Sequence, residues 1–249
     1  GGDELLAVYT TLYAYYFREL LKRGSLGTLC AEINGYFRNH GGLFPIALFF
    51  SLLLPGSIKK KFIHYGRFLS DSFRRKGESS GEYFDDFIDS PDLNSALEAL
   101  LRIKLEHLLK WEDRNSMAFS IETRLPFLDY RLVSFMLSLP PDWKIRRGET
   151  KYILRKSMAG ILPEKIADRQ DKVGFATPEK EWLSRPPIRE VLHDVLLSPR
   201  CRERGIFDPA ALRKAITRPE RLGSAAARSL WRALSTELWF QQFIDRSPV

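Results

Sequence analysis

The sequence predicts a mainly α-helical protein, and three observations support this fold class. Apolar residues make up 44% of the 249 residues, which is enough to fill a core. Apolar side chains recur at helical spacing along most of the chain. No stretch of useful length alternates between polar and apolar residues, and no segment is repeated.

The first helix is predicted from Leu5 to Leu21, where the apolar positions follow the helical period. Asp3 stands where an N-cap belongs, and Gly24 follows as a C-terminal stop. The pattern continues with two short helices and a flexible polar connection without a domain break, at residues 26–37, 45–54 and about 74–91.

Leucines at helical spacing from Leu97 to Leu109 predict a second amphipathic helix, which runs into the charged segment Trp111–Arg114. Pro126 prevents this helix from continuing, and Asp129 is placed to cap the next one, which ends at Pro140. The remaining predicted helices begin at Thr150 (as the cap of residues 151–159, with Gly160 at the end), at Thr177-Pro178, at Asp208-Pro209 and at about Ala225, the last one reaching Phe243.

The composition argues against several classes of protein. Cys30 and Cys201 lie far apart and the four histidines are scattered, so neither a disulfide framework nor a metal-binding spacing is expected. This pattern fits a reducing compartment, and we expect a cytoplasmic protein. The apolar run Leu43–Pro55 is too short to cross a bilayer and predicts a buried helix. The net charge of +8 comes without a nucleic-acid-binding motif, so neither nucleic acid nor a membrane is an expected partner.

Charged residues lie among apolar ones in the segment SIETRLPFLD, which covers residues 120–129. Glu122, Arg124 and Asp129 are therefore expected to be partly buried, and buried charges must pair or face a ligand. One interpretation is an internal ion pair of Arg124 with Glu122 or Asp129 that fixes the joint between two helices. The other is a ligand site.

Two further residues are candidates for contacts with phosphate or metal. Lys172 lies near Gly174 and is either a mobile cation suited to phosphate or a solvated surface lysine. Asp3 follows two glycines at a predicted helix start. It either only caps this helix or also holds Mg²⁺ beside phosphates that the helix N-terminus attracts.

Five segments carry a resemblance to a known family: GGDELLAVY, WEDRNSMAFSIETRLPFLD, TKYILRKSM, LPEKI and RQDKVGFATPEKEWL. In order and approximate spacing they resemble the synthetase domain of glutamine-dependent asparagine synthetases. The string SMAFSIETRLPFLD is the most specific match, and the correspondence covers nearly the whole chain. The resemblance extends to β-lactam synthetases and other amide-forming relatives.

This resemblance implies a fold and a domain assignment. Residues 1–249 would be the helical C-terminal part of one α/β domain of the adenine-nucleotide α-hydrolase type, a PP-loop ATP pyrophosphatase, whose parallel sheet lies mostly upstream. The family's S-G-G-x-D-S phosphate loop and its glutaminase domain are expected to precede Gly1. The chain is therefore expected to be inactive alone, and a homodimer is compatible with this interpretation.

The resemblance also implies a reaction. A carbon–nitrogen ligase of this family uses ATP and Mg²⁺ to adenylate the side-chain carboxylate of aspartate, and it releases pyrophosphate. Ammonia derived from glutamine then displaces AMP to give asparagine. The implied site residues are Gly1, Gly2, Asp3, Glu4 and Lys172 for ATP, Asp3 for the metal ion, and Lys172, Glu122 and Arg124 for catalysis.

Two other functions stay open at the level of the sequence. One is a related amide ligase that acts on another carboxylate. The other is a helical interaction module in which the ATP chemistry has been lost. Val8 replaces a glycine that is usual in the family's first segment, which we interpret as a change in packing.

Overall fold

The computed structural model describes residues 1–54, 67–77, 82–169 and 177–245. The α-helices in these ranges are α1 Gly2–Leu5, α2 Thr11–Lys22, α3 Leu26–Asn39, α4 Phe44–Leu52, α5 Asp71–Gly77, α6 Glu82–Asp89, α7 Leu93–Leu100, α8 Glu106–Met117, α9 Tyr130–Ser138, α10 Tyr152–Ser157, α11 Glu164–Ala167, α12 Glu179–Ser184, α13 Pro186–Leu196, α14 Pro199–Glu203, α15 Pro209–Thr217 and α16 Ser224–Phe243.

The other elements are few and short. Within the described ranges a π-helical segment joins α7 to α8, three 3₁₀ turns occur, and two strands form one antiparallel pair. The predicted fold class, mainly helical, is confirmed. These elements are the π segment Leu101–Leu105, the turns Pro126–Leu128, Pro141–Trp143 and Pro219–Arg221, and the strands β1 Ile145–Arg146 and β2 Glu149–Thr150.

The described residues form two compact units. Unit 1 contains residues 1–54 and 82–169, and unit 2 contains residues 67–77 and 177–245. Unit 1 holds every described residue for which the sequence predicts a function.

Helix α2 forms the centre of unit 1 and is buried on all sides from Leu12 to Leu20. A helix buried all round must satisfy its polar side chains inside the protein. The Tyr15 hydroxyl donates a hydrogen bond of 2.7 Å to the carbonyl of Phe87. The Glu19 carboxylate accepts the Leu93 N–H at 3.2 Å. These bonds tie α2 to α6 and to the start of α7.

The predicted continuous helix over residues 5–21 is wrong. The chain forms the short helix α1, leaves the helical conformation, and resumes in α2. Ala7 has a φ of 58°, a left-handed conformation that an α-helix does not contain. The sequence shows one continuous helical period because both α1 and α2 bury apolar side chains. Leu5 packs with Met136 in a small cluster of its own, whereas α2 builds the main core.

Most other helix predictions are confirmed to within a few residues, including the caps at Asp129 and Asp208. The predicted cap at Thr150 is wrong, because Thr150 belongs to β2 and Lys151 stands at the N-cap of α10. The apolar helix α4 buries Phe49 on one side and exposes other apolar side chains, so it is only half buried. The predicted flexible connection is helical in its described part, in α5 and α6.

The turn between β1 and β2 is pressed directly against α3. A Cβ added to Gly148 would lie 2.1 Å from the carbonyl carbon of Gly35, so the two backbones are in contact. The buried carboxylate of Glu32 accepts the N–H groups of Arg147 and Gly148 at 2.8 and 3.0 Å. The Tyr13 hydroxyl donates to the Gly148 carbonyl at 2.7 Å. The hairpin is thus fixed on the core.

Unit 2 is a helical cluster built around α16. Its buried apolar side chains come mainly from α12, α13, α15 and α16. The Asp208 N–H donates to the Phe68 carbonyl at 2.8 Å and brings residues 67–77 into this unit. The fully buried Glu237 is neutralised by Arg204, whose Nε lies 2.8 Å from Oε2. In the part of the chain that the structure describes, no helix is both long and apolar enough to cross a membrane.

We predict that Gly148→Ala destabilises unit 1 far more than Gly160→Ala. Both glycines have left-handed φ values, 74° and 79°, but a Cβ at Gly160 meets nothing within 4 Å. The control should therefore show only the backbone cost, about 1–2 kcal/mol. Gly148→Ala adds the clash with Gly35 and should cost at least about 3 kcal/mol in urea unfolding. Equal losses in the two variants would contradict the backbone contact.

Candidate active site

Two glycines allow α1 to lie against the 3₁₀ turn Pro126–Leu128. A Cβ added to Gly1 would lie 3.1 Å from the Leu128 side chain, and one added to Gly2 would lie 3.4 Å from the Phe127 ring. The contact at Gly1 is tight for any larger residue, and the contact at Gly2 is close to an ordinary van der Waals distance. The structure thus brings the GGDE segment against the SIETRLPFLD segment, as a shared site requires.

Asp3 lies in the first turn of α1, and Gly1 rather than Asp3 is the N-cap, so the predicted capping role is wrong. The Asp3 Oδ1 atom lies 3.0 Å from the Nζ atom of Lys151. Each of the two side chains is 34% exposed, so solvent reaches the pair. A third segment singled out in the sequence, TKYILRKSM, therefore meets the first one at this ion pair.

Lys151 has an unusual backbone. Its φ of 58° and ψ of 27° are left-handed, a conformation that residues other than glycine, asparagine and aspartate rarely adopt. The Lys151 N–H donates to the Leu6 carbonyl at 3.2 Å, and its carbonyl accepts the Arg155 N–H at 2.9 Å. These bonds, and the hairpin that precedes Lys151, hold its side chain beside Asp3.

Glu4 is adjacent to Asp3 but faces the interior and is 1% exposed. Its carboxylate accepts hydrogen bonds from the Gly1 nitrogen at 2.9 Å and from the Tyr9 hydroxyl. Burial raises the pKa of Glu4, whereas the hydrogen bond from Tyr9 lowers it. Burial and the bond to Glu4 raise the pKa of Tyr9. Lys104, on the π segment, covers the other side of Tyr9, with Nζ 3.3 Å from the ring centroid.

Glu122 and Arg124 are exposed, which corrects the prediction that they are partly buried. Their side chains are 69% and 82% exposed and form an ion pair of 2.9 Å. The prediction failed because the apolar neighbours are exposed as well, Phe119 to 80% and Ile121 to 59%. The expected pairing of Arg124 with Glu122 is present, but at the surface. Asp129 instead pairs with Arg131 at 2.6 Å and caps α9.

Lys172 and Gly174 lie outside the described residues. The chain that leads towards them is held by Arg155 of α10. Its Nε donates to the Thr150 carbonyl at 3.0 Å and its Nη2 to the Arg169 carbonyl at 2.7 Å, and Nη1 donates to the Ala167 carbonyl. Arg155 therefore ties the end of the hairpin to the last described residues before Lys172.

An apolar cavity of about 380 Å³ that is open to solvent lies in unit 1. Its walls come from α1, the turn Pro126–Leu128, α9 and α10. The cavity provides an apolar wall next to the charged residues of α1. It is lined by Leu5, Leu6, Pro126, Phe127, Leu132, Phe135, Met136, Ile153, Leu154, Ser157 and Met158.

A family model described as "Asparagine synthase" matches residues 1–241. The chain belongs to the asparagine synthase family. The match covers unit 1 and nearly all of unit 2, so both units lie within the region that defines the asparagine synthase family. The resemblance seen in the sequence is confirmed.

Several asparagine synthetases are similar to this chain. A "Putative asparagine synthetase [glutamine-hydrolyzing]" of Mycobacterium bovis is 32% identical over 137 residues, which is 55% of this chain and 21% of the relative. "Asparagine synthetase [glutamine-hydrolyzing] 1" of Bacillus subtilis is 35% identical over 130 residues, 51% of this chain and 20% of the relative. "Asparagine synthetase [glutamine-hydrolyzing]" of Gallus gallus is 33% identical over 148 residues, 53% of this chain and 26% of the relative.

The matched regions thus span about a fifth to a quarter of the length of these relatives. No solved structure matches the chain.

Sequence reasoning missed Lys151, Arg155 and Tyr9 as parts of the site. Lys151 and Arg155 stand in the TKYILRKSM segment, which was singled out only as a whole. Their spacing of four residues would have placed both on one side of a helix start. Tyr9 carried no signal, because it fits the apolar period of a continuous helix.

We predict that Tyr9→Phe destabilises unit 1 by about 1–3 kcal/mol, since it removes one donor from a buried carboxylate. Tyr16→Phe is the control, because Tyr16 is a buried tyrosine of α2 whose hydroxyl makes no hydrogen bond with any described residue and is itself reached by solvent. The hydrogen bond from Tyr9 lowers the pKa of Glu4, so the stability that this bond contributes is complete above the unfolded value of 4.5 and is lost as the pH falls through the folded value. The difference between wild type and Tyr9→Phe should shrink accordingly below pH 4.5. A difference that does not depend on pH would refute the role given to Glu4.

Proposed function

We propose that the full-length protein is an ATP-dependent amide ligase that makes asparagine from aspartate and ammonia, with glutamine as the source of ammonia. The chain would form the C-terminal part of its synthetase domain. Membership of the asparagine synthase family over residues 1–241 supports this class of reaction. The names of the similar proteins support glutamine as the nitrogen donor.

One observation carries this proposal for the site. Asp3 lies where three of the family-like segments meet. Helix α1 packs on Phe127 and Leu128, and the carboxylate of Asp3 pairs with Lys151. A chain that had kept only the helical scaffold would not need this arrangement of exposed charge. The juxtaposition therefore favours a ligase over an interaction module.

Asp3 fits a magnesium ion by its donor chemistry. Its carboxylate oxygens are hard ligands, and the side chain is one-third exposed. Mg²⁺ is commonly held by one or two carboxylates together with substrate phosphates and water. Among the described residues no group of three or more His, Cys, Asp or Glu side chains offers a fuller cage. The ion would neutralise charge on the nucleotide phosphates.

The other site residues have proposed roles that follow their placement. Gly1 and Gly2 let α1 pack on Leu128 and Phe127, which would place their backbone beside ATP, and Glu4 fixes the start of α1 from the inside. Glu122 and Arg124 are exposed, so Arg124 can face a carboxylate of aspartate and Glu122 can face its ammonium group. Lys172 would contact phosphate and stabilise the negative charge that develops as pyrophosphate leaves.

The test is a product assay on the full-length protein with ATP, Mg²⁺, aspartate and either glutamine or ammonia. Asparagine and pyrophosphate should form in equal amounts. Product from another carboxylic acid, without product from aspartate, would establish the related ligase. Failure to release pyrophosphate with any acceptor would refute the ligase and favour an interaction module.

We predict that Lys172→Ala in the full-length protein lowers kcat by roughly 10²-fold or more while ATP binding weakens little. A cation that acts mainly in the transition state has this signature. Lys172→Arg should restore part of the rate, because the charge is kept but its geometry changes. Lys180→Ala, at an exposed lysine of α12, is the control. An unchanged kcat in folded Lys172→Ala would remove Lys172 from the site.

A further inference from the structure

We propose that Lys151 is a resident counter-ion of Asp3 that weakens the binding of a bare divalent cation. In the absence of nucleotide its ammonium occupies the place next to the carboxylate that a metal ion would take. When nucleotide binds, its phosphates supply negative charge that offsets the repulsion between the Lys151 ammonium and the metal ion. Lys151 would thus couple metal binding to nucleotide binding. This inference rests on the proposed function, which places Mg²⁺ at Asp3.

The contact has the geometry that exchange requires. The Nζ atom of Lys151 lies 3.0 Å from Oδ1 of Asp3, close enough to compete with a metal ion for that oxygen. Both side chains are 34% exposed, so water and ions reach the pair. A lysine is a compact charge on a flexible stem and can move aside without disturbing the backbone.

Stability does not explain why a lysine stands at this position. Ion pairs that solvent reaches contribute little to folding. The left-handed backbone of Lys151 destabilises the fold by more than such an ion pair stabilises it, and a glycine would not have this cost. Lys151 is held there by its N–H bond to Leu6 and by the hairpin that is fixed on α3. The strained lysine is consistent with a requirement for its ammonium beside Asp3.

Arg147 offers a control that separates the contact of Lys151 with Asp3 from the effect of positive charge alone. Arg147 is a second basic residue with a left-handed backbone, at φ 52°, in the hairpin that precedes Lys151. It lies on the turn, and its N–H binds Glu32 rather than the Asp3 region. Arg147 therefore has the same sign of charge and the same kind of backbone, without the contact to Asp3. It provides a matched control for Lys151.

The experiment titrates the full-length protein with Mn²⁺ alone, with and without ATP, and follows bound metal by electron paramagnetic resonance. Lys151→Met should tighten Mn²⁺ binding without nucleotide by about tenfold, as the removal of one positive charge a few ångströms from a divalent ion predicts. With ATP present the gain should fall to about twofold or less. Lys151→Arg and Arg147→Met should both bind Mn²⁺ like the wild type.

Three results would overturn the proposal. Unchanged or weaker Mn²⁺ binding by Lys151→Met would show that Lys151 does not oppose the ion. An equal gain in Arg147→Met would show that net charge alone is responsible. A lower melting temperature in both Lys151→Met and Lys151→Gly, with unchanged Mn²⁺ affinity, would show that Lys151 only stabilises the fold.

Asp3→Asn separates this proposal from the proposed function. If Asp3→Asn removes Mn²⁺ binding but Lys151→Met does not tighten it, the metal site stands and the role of Lys151 is refuted. If Asp3→Asn leaves Mn²⁺ binding unchanged, the metal site is refuted as well. The expected result is loss of binding in Asp3→Asn and a gain in Lys151→Met.

Discussion

The backbone contact between Gly35 and Gly148 is the constraint on which the site in unit 1 depends. No side chain fits between α3 and the hairpin turn at this point, so the turn has one position. The contact buries backbone polar groups of the turn, and hydrogen bonds satisfy them. The turn donates two N–H groups to Glu32 and accepts a hydrogen bond from the Tyr13 hydroxyl. Because β2 leads directly into Lys151, the same contact decides where the lysine stands relative to α1.

The hairpin positions two further residues of the site, Lys151 and Arg155. Lys151 reaches back to Asp3 and Leu6, which fixes α1. Arg155, one turn further along α10, donates from three nitrogens to carbonyls of the hairpin end and of residues 167 and 169. A planar guanidinium suits this task, since its donors have fixed directions. One short helix thus connects the acidic side of the site with the chain leading to Lys172.

The sequence was sufficient where the decisive physics is local. Helix periods, the caps at Asp129 and Asp208 and the stop at Gly24 depend on neighbouring residues, and the structure confirms them. The sequence was insufficient where contacts between residues far apart in the chain determine the structure. Ala7 interrupts a perfect helical period because the two pieces bury their apolar faces in different clusters. Glu122 is exposed although its neighbours are apolar, because those neighbours are themselves largely exposed.

Family-like segments indicated which residues belong together, but not how each one acts. Asp3 and Glu4 are neighbours of the same chemical type, and the sequence assigned both to nucleotide binding. A helix turns about 100° per residue, so the two carboxylates point in different directions from α1. Glu4 enters the interior and its hydrogen bonds to Tyr9 and Gly1 make it a fixed structural anion. Asp3 stays at the surface with a mobile cation, so of the two only Asp3 is in a position to exchange its partner for a ligand.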